Sequence, residues 1–353
     1  MRVQFTAINT FFSTNILLCI SPLIFISFLM VGKNANIFSH FALHFFSKYI
    51  ALPPLENGTA KCPYFAYLFL QAINHRTKKP ISFILQKYII YSKFQSNITI
   101  QYLHYLFSSL YSLHYVGKCY PFPQSVTLNF NLAQQYIRKN YQILDLGSAA
   151  EIFFYQHGLH FTLDTIKKYV QERDIMDIGA FNGDSAYILL QKTKKRVFSY
   201  EFSKDNVEHF KNNSKRLKYP NRSILITKAI SKSISKIHTS SCSEMICSIE
   251  KPGNMTISTT TIDHEVETHN MTLGFLKVDV EGSGLDVLQG GLQSIIKYRP
   301  VMNFGVYHSF SEFFGIPALM SQLQSYVIDF QSGSQTFASF GELSIFAYPI
   351  ELS

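Results

Sequence analysis

The 353-residue chain contains no tryptophan, and acidic residues are nearly missing from its first 150 positions. Those positions hold twelve Lys and Arg residues against two acids, Glu56 and Asp145. Residues 151–353 are close to neutral, so the net charge of +9 comes from the N-terminal part. This asymmetry favours contact between that part and an anionic surface, unless it only reflects a lysine-rich composition.

The sequence also lacks any Cys-x-x-Cys pair, which argues against a structural zinc site. Free thiols in a reducing compartment are the simpler interpretation. Because 47% of the residues are hydrophobic and 16% are charged, the composition argues against an intrinsically disordered protein. The five cysteines are Cys19, Cys62, Cys119, Cys242 and Cys247.

No charged residue lies between Arg2 and Lys33, and residues 16–31 are almost continuously apolar. A membrane-spanning anchor would fit this length, and the lysines that follow would then leave the rest of the chain in the cytoplasm. A cleaved signal peptide is the rival, but no A-x-A-like site follows the apolar run. A third alternative is that translation starts at Met30, and the sequence leaves this open.

Three parts follow from the composition: the apolar segment 1–33, a basic and aromatic region 34–140, and an α/β domain 150–353. Apolar residues at three- and four-residue spacing predict helices at 81–95 and 98–116, so the middle part is mainly helical. The α/β domain alternates strands with helices, which predicts a doubly wound, Rossmann-like, mostly parallel sheet. The predicted strands are 174–180, 196–202, 223–230, 273–280, 301–308, 325–330 and 343–349, with helices at 184–193 and 204–217.

The segment "IMDIGAFNGDS" (175–185) is a glycine loop between the first strand and its helix. It lacks one glycine of G-x-G-x-x-G and ends in Asp184, where a helix begins. A carboxylate suits a helix N-terminus but would repel a pyrophosphate bound there. S-adenosylmethionine carries a sulfonium and an ammonium beside its nucleoside, so this loop favours that methyl donor as the cofactor.

The second strand ends in Glu201, 22 residues after Gly179. An acid at this spacing can accept hydrogen bonds from both hydroxyls of a ribose. Alternatively, Asp177 and Asp184 only cap their elements and Glu201 is a solvated strand end. The residues predicted to contact the cofactor are Asp177, Gly179, Ala180, Phe181, Gly183, Asp184, Glu201 and Phe202.

Several segments in fixed order resemble the FkbM family of S-adenosylmethionine-dependent methyltransferases, over about residues 150–350. They are "FFYQHGL", "MDIGAFNGDSA", "YEFSKDN", "TTTID", "LKVDVEG", "RPVMNFGVYH", "FFGIPALMSQL" and "ELSIFAYP". The resemblance implies a class I methyltransferase fold and O-methylation of a sugar, a glycan or a secondary metabolite. Such proteins usually carry a second Glu where this chain has Gly284, which puts catalysis in question.

A hydroxyl acceptor needs a base for its proton. The candidates after the fourth and fifth strands are Asp279, Glu281 and His308, and an unperturbed histidine pKa suits a base at neutral pH. Lys277 points to the same side of its strand as Asp279, so the two residues could form an ion pair. Asp279 and Glu281 alone are too few for a predicted metal site.

A small-molecule or glycan acceptor is the expected partner, with the enzyme cytoplasmic and its basic N-terminal part near the inner face of a membrane. An RNA methyltransferase is the first alternative, since a basic region could grip phosphates. Against nucleic acid stand the missing [DN]-P-P-[YF] motif and the absence of a known RNA-binding module. A non-catalytic adaptor with the same fold is the second alternative.

Overall fold

The computed structural model describes residues 124–141, 149–239, 255–332 and 343–353. The predicted helices 81–95 and 98–116, the apolar segment 1–33 and all five cysteines lie outside these residues. No helix among the described residues is both long and apolar enough to cross a membrane.

The seven predicted strands and the two predicted helices of the α/β domain are present in the order predicted, together with further helices and strands. The helices are α1 (Gln124–Tyr141), α2 (Asp164–Gln171), α3 (Asp184–Leu189), α4 (Lys204–Ser214), α5 (Ile262–Thr268), α6 (Gly284–Gln289), α7 (Leu292–Tyr298) and α8 (Phe310–Met320). The strands are β1 (Asp174–Ile178), β2 (Val197–Tyr200), β3 (Ser223–Ile226), β4 (Ala229–Ile230), β5 (Ser235–Thr239), β6 (Met255–Thr260), β7 (Leu273–Val278), β8 (Val301–Gly305), β9 (Tyr326–Ser332) and β10 (Leu343–Pro349). A π-helical turn, Glu151–Tyr155, precedes α2.

Seven strands form the main sheet in the order β3-β2-β1-β7-β8-β10-β9. All neighbours are parallel except β10, which runs antiparallel to both β8 and β9. Strands β1, β2, β7 and β8 are buried along their whole length, as expected for parallel strands covered on both faces. The predicted doubly wound, mostly parallel sheet is confirmed.

Side-chain alternation along the strands builds a separate hydrophobic cluster on each face of the sheet. Ile175 and Phe275 pack on one face with Ile166 and Val170 of α2. Met176 and the other alternate residues pack on the opposite face with helices α5 to α8. Because a strand residue and its neighbour point to opposite faces, one buried strand supplies both clusters.

The predicted strand 223–230 is two strands in the structure. Its first half is β3 of the main sheet, and its end is β4 of a second sheet with the order β4-β6-β5. Strands β5 and β6 are not among the predicted strands because their Ser- and Thr-rich sequences lack an apolar run. Thr259 of β6 helps to hold this sheet, since its hydroxyl donates to the carbonyl of Ser233 at 2.9 Å.

Helix α1 packs on the domain that follows it. Its Ala133 and Ile137 share a buried cluster with Phe153 of the π-helical turn and Ile188 of α3. This contact crosses the predicted boundary between 34–140 and 150–353. The end of the N-terminal region is thus packed against the α/β domain.

Candidate active site

The carboxyl ends of β1, β2 and β7 open onto a cavity of about 460 Å³. Strand order reverses at β1, between β2 and β7, and open α/β sheets bind ligands at such a point. The cavity is rich in carboxylates and has two lysines. Its charged wall residues are Glu151, Asp184, Glu201, Lys228, Lys277, Asp279 and Glu281.

The glycine loop after β1 passes very close to the turn after β7. Gly179 has a φ of +78°, and a Cβ built on it would lie 1.9 Å from the backbone oxygen of Asp279. Asp279 N donates to the carbonyl of Ile178 at 3.0 Å, which fixes this approach. Only glycine fits at position 179, and this requirement comes from the turn after β7 as well as from any ligand.

Glu201 ties the glycine loop to the start of α4. Its Oε1 accepts the backbone N–H groups of Phe202 at 2.7 Å and Ser203 at 2.8 Å, and its Oε2 accepts the N–H of Phe181 at 3.1 Å. Asn206 Nδ2 lies 3.5 Å from the same Oε2. A carboxylate offers about four acceptor positions. Three are taken by backbone N–H groups and the fourth only by the long contact from Asn206, so a ligand hydroxyl would bind there in place of Asn206.

Asp184 starts α3 and is 6% exposed, with its Oδ1 accepting the N–H of Ser185 at 2.7 Å. Burial raises the pKa of Asp184 to about 7, against the opposing influence of Lys277. The carboxyl group therefore changes charge near neutral pH. A cationic ligand in the cavity would favour its ionised form.

Lys277 of β7 lies at the centre of the acidic wall. Its Nζ donates to the carbonyl of Gly179 at 2.6 Å and lies 3.4 Å from Asp177 Oδ1. Burial alone would lower the pKa of Lys277, but the surrounding carboxylates, Asp177 first and then Asp279, raise it. Lys277 therefore forms its ion pair with Asp177 of the neighbouring strand β1. Asp279, the partner that the sequence suggested, raises the pKa of Lys277 through its charge from a greater distance.

Asp279 stands at the cavity edge next to an imidazole and a phenol. His308 Nε2 lies 3.4 Å from Asp279 Oδ1 and 3.8 Å from Glu281 Oε1. The Tyr307 hydroxyl donates to Asp279 Oδ1 at 3.2 Å. The three predicted catalytic residues are therefore brought together, although β7 and β8 are separated by two helices in the chain.

His308 is held in a setting that favours its charged form. Burial opposes the charge, but the hydrogen bond with Glu312 and the charges of Asp279, Glu312 and Glu281 raise the pKa of His308 to about 9. At pH 7 the imidazole consequently carries both protons and donates. The reason for expecting His308 to be the base, an unperturbed pKa near neutrality, does not hold in this structure.

Five of the eight predicted cofactor residues lie on the cavity wall: Gly179, Phe181, Asp184, Glu201 and Phe202. Asp177 is fully buried behind the wall, and Ala180 and Gly183 do not line it. The sequence analysis missed Glu151, His157 and Lys228. Glu151 and His157 belong to or follow the π-helical turn, and their place beside β1 depends on a fold that no local pattern predicts.

Residues 177–337 match the family model of the methyltransferase FkbM domain. The chain contains an FkbM methyltransferase domain. The match covers the glycine loop, Glu201, Asp279 and His308, so every group described above except Glu151 and His157 lies inside the FkbM domain.

Similar solved structures include a methyltransferase FkbM from Methylobacillus flagellatus KT, with 16% identity and a TM-score of 0.49. That similarity covers 76% of this chain and 60% of the other, so the chain spans less than two thirds of that protein's length. The O-methyltransferase TomG from Streptomyces achromogenes, involved in tomaymycin synthesis and solved with SAM, shares 13% identity over 62% of this chain and 88% of that one, with a TM-score of 0.38. An rRNA methylase from Streptococcus thermophilus shares 11% identity over 53% and 93%, with a TM-score of 0.35. No curated protein matches the chain.

Proposed function

We propose that the protein transfers a methyl group from S-adenosylmethionine to a hydroxyl group of a sugar, a glycan or a secondary metabolite. The carrying observation is that one cavity brings an acidic wall, suited to a cationic nucleoside, next to the carboxylate of Asp279. The FkbM domain supports methyl transfer as the reaction class.

The residues present fit the methyl donor. The acceptor position of Glu201 that Asn206 contacts at 3.5 Å could be taken by a ribose hydroxyl. Asp184 and Glu151 add carboxylates that suit a sulfonium and an ammonium group. Phe181 and Phe202 add apolar surface to the same wall. When bound, S-adenosylmethionine supplies a methyl group on a positively charged sulfur.

Asp279 is the residue we assign to take the proton from the acceptor hydroxyl. Its carboxylate is at the cavity wall, and the neighbouring His308, which is protonated at neutral pH, forms an ion pair with it at 3.4 Å. The Tyr307 hydroxyl also donates to Asp279 and fixes its orientation. General-base catalysis of this kind contributes about 10²- to 10⁴-fold to a rate.

Calorimetric titration of the full chain with S-adenosylmethionine and with S-adenosylhomocysteine tests the cofactor assignment. Both ligands are expected to bind, because they share the nucleoside whose ribose we assign to Glu201. A folded protein that binds neither ligand would refute the assignment and favour the adaptor alternative. Binding of both ligands to an Asp279→Asn variant without any methyl transfer would support separate binding and chemical roles.

The acceptor is tested by comparing methylated sugars in glycans and small metabolites from cells with and without the gene. A methyl ether that disappears with the gene, and stays missing when only the Asp279→Asn variant is restored, supports O-methylation. Loss of a methyl mark on RNA instead would refute it.

We also propose that the basic region before residue 124 places the enzyme at the inner face of a membrane carrying anionic lipids.

A further inference from the structure

Helix α8 carries a buried acid that the proposed reaction does not use directly. Glu312 has no exposed surface, and a carboxylate in that position is costly unless charged or polar groups compensate it. Its Oε1 accepts the N–H of Gly284 at 2.8 Å, and its Oε2 lies 3.2 Å from His308 Nδ1. Both partners belong to the edge of the sheet where the cavity opens.

The room for this carboxylate exists because position 284 has no side chain. A Cβ built on Gly284 would lie 2.8 Å from Glu312 Oε1 and 3.2 Å from Ile316 Cδ1. The φ of Gly284 is outside the positive range, so its backbone would accept another residue. What excludes a side chain there is the position of Glu312.

The contacts form a continuous path from the helix to the cavity. Glu312 bonds His308 Nδ1, and His308 Nε2 then faces Asp279 Oδ1 at 3.4 Å. The N–H of Gly284 fixes the other carboxylate oxygen to the first residue of α6, directly after the turn that carries Asp279 and Glu281. One side chain thereby joins the segments that follow β7 and β8.

We propose that Glu312 is a positioning residue that holds the charged imidazole of His308 against Asp279 and ties both to the start of α6. Its role in methyl transfer rests on the proposed function, whereas the arrangement itself does not. The place that a residue at 284 would fill is taken by the carboxylate of Glu312, 28 positions later in the chain.

The charged and titratable groups around His308 come from three directions. Glu312 faces it from α8, Asp279 and Glu281 face it from the turn after β7, and the ring of Tyr307 lies 3.8 Å away. Within the described residues, Glu312 is the hydrogen-bond partner of His308 Nδ1, so neutralising Glu312 should act on His308 directly. An opposite charge at this distance shifts a pKa by about one to three units.

The test is a titration of the histidines by NMR in the full chain, with His308→Asn used to assign the signal. In the parent protein the His308 imidazole should remain doubly protonated well above pH 7. Glu312→Gln keeps the size of the side chain and the bond from Gly284, and should move the His308 midpoint down by one to three units. Glu208→Gln, an exposed position on α4, is the matched control and should leave the midpoint unchanged.

A double variant, Glu312→Ala with Gly284→Asp, removes the carboxylate from α8 and supplies another one from α6. Glu312→Ala removes the group that a side chain at 284 would meet, and Gly284→Asp then places a carboxylate near the same point. The midpoint should move down in Glu312→Ala alone and back toward the parent value in the double variant. If Glu312 had only a structural role, the double variant could regain the stability lost in Glu312→Ala, but its His308 midpoint would stay at the value of Glu312→Ala.

A folded Glu312→Gln protein with the parent midpoint would overturn the proposal, as would a folded double variant that titrates like Glu312→Ala. If Glu312→Gln does not fold, the parent protein still decides: a His308 that is neutral at pH 7 contradicts the arrangement. None of these measurements needs a methyl donor or an acceptor. Failure of cofactor binding and failure of this proposal are thus separate results.

Discussion

The cofactor assignment predicts that Glu201→Gln weakens binding of S-adenosylmethionine and S-adenosylhomocysteine to the same extent. Three backbone N–H groups occupy most of the Glu201 carboxylate, so about one charge-assisted hydrogen bond to the ligand is at stake. Such a bond contributes about 1.5–3 kcal/mol, which corresponds to roughly a tenfold to over a hundredfold rise in Kd. Calorimetry at pH 8 measures both ligands on one protein preparation.

Asp184→Asn provides the contrasting variant in the same experiment. Because the two ligands differ by the sulfonium charge, loss of the Asp184 charge should weaken S-adenosylmethionine more than S-adenosylhomocysteine. Glu208 lies on α4, the helix that follows Glu201, and its side chain is exposed. Glu208→Gln should therefore change neither affinity. A folded Glu201→Gln protein that binds both ligands within twofold of the parent would refute the ribose contact.

Three further outcomes are expected. The pKa of Asp184 is raised from 3.8 to about 7, so the parent loses stability as pH rises between these values. In thermal unfolding, Asp184→Asn should therefore gain about 2–3 kcal/mol relative to the parent between pH 5 and pH 8, and an equal difference at both pH values would contradict this. Gly179→Val should unfold the domain with or without ligand, because its Cβ would meet the Asp279 carbonyl, and a normal melting curve would show that the loop can move aside. Asp279→Asn should lower turnover by about 10²- to 10⁴-fold, as measured by product formation, and more than His308→Asn does; the reverse order would return the role of base to His308.

Local sequence was sufficient for the central strands and for the glycine loop. Apolar residues predominate in both 174–178 and 273–278 and occupy both faces of each strand, although Asp177 and Lys277 lie among them. Strands with apolar residues on both faces are typical of a parallel sheet covered on both sides. The approach of Gly179 to Asp279 follows from the pairing of β1 with β7, which is nearly 100 positions away. The sequence analysis explained Gly179 by the space that a cofactor needs. The structure adds a second reason, which is that a side chain at position 179 would collide with the backbone of Asp279.

The second sheet was not predictable in the same way. Strands β5 and β6 have polar, Ser- and Thr-rich sequences, and they are held by backbone pairing and by the Thr259 hydroxyl. Periodicity detects a strand through the apolar face that it buries. A strand held mainly by its partner gives no such signal.

The sequence by itself determined the chain order of the main-sheet strands, the acidic glycine loop, and the positions of Glu201, Asp279 and His308 at strand ends, because each of these depends on neighbours within a few residues. Only the tertiary structure decided their electrostatics. The charge state of His308 depends on Glu312, and the room for Glu312 depends on Gly284, which belongs to a different helix. A pKa is set by the groups that surround a side chain in space, and those groups come from segments that the linear sequence keeps apart.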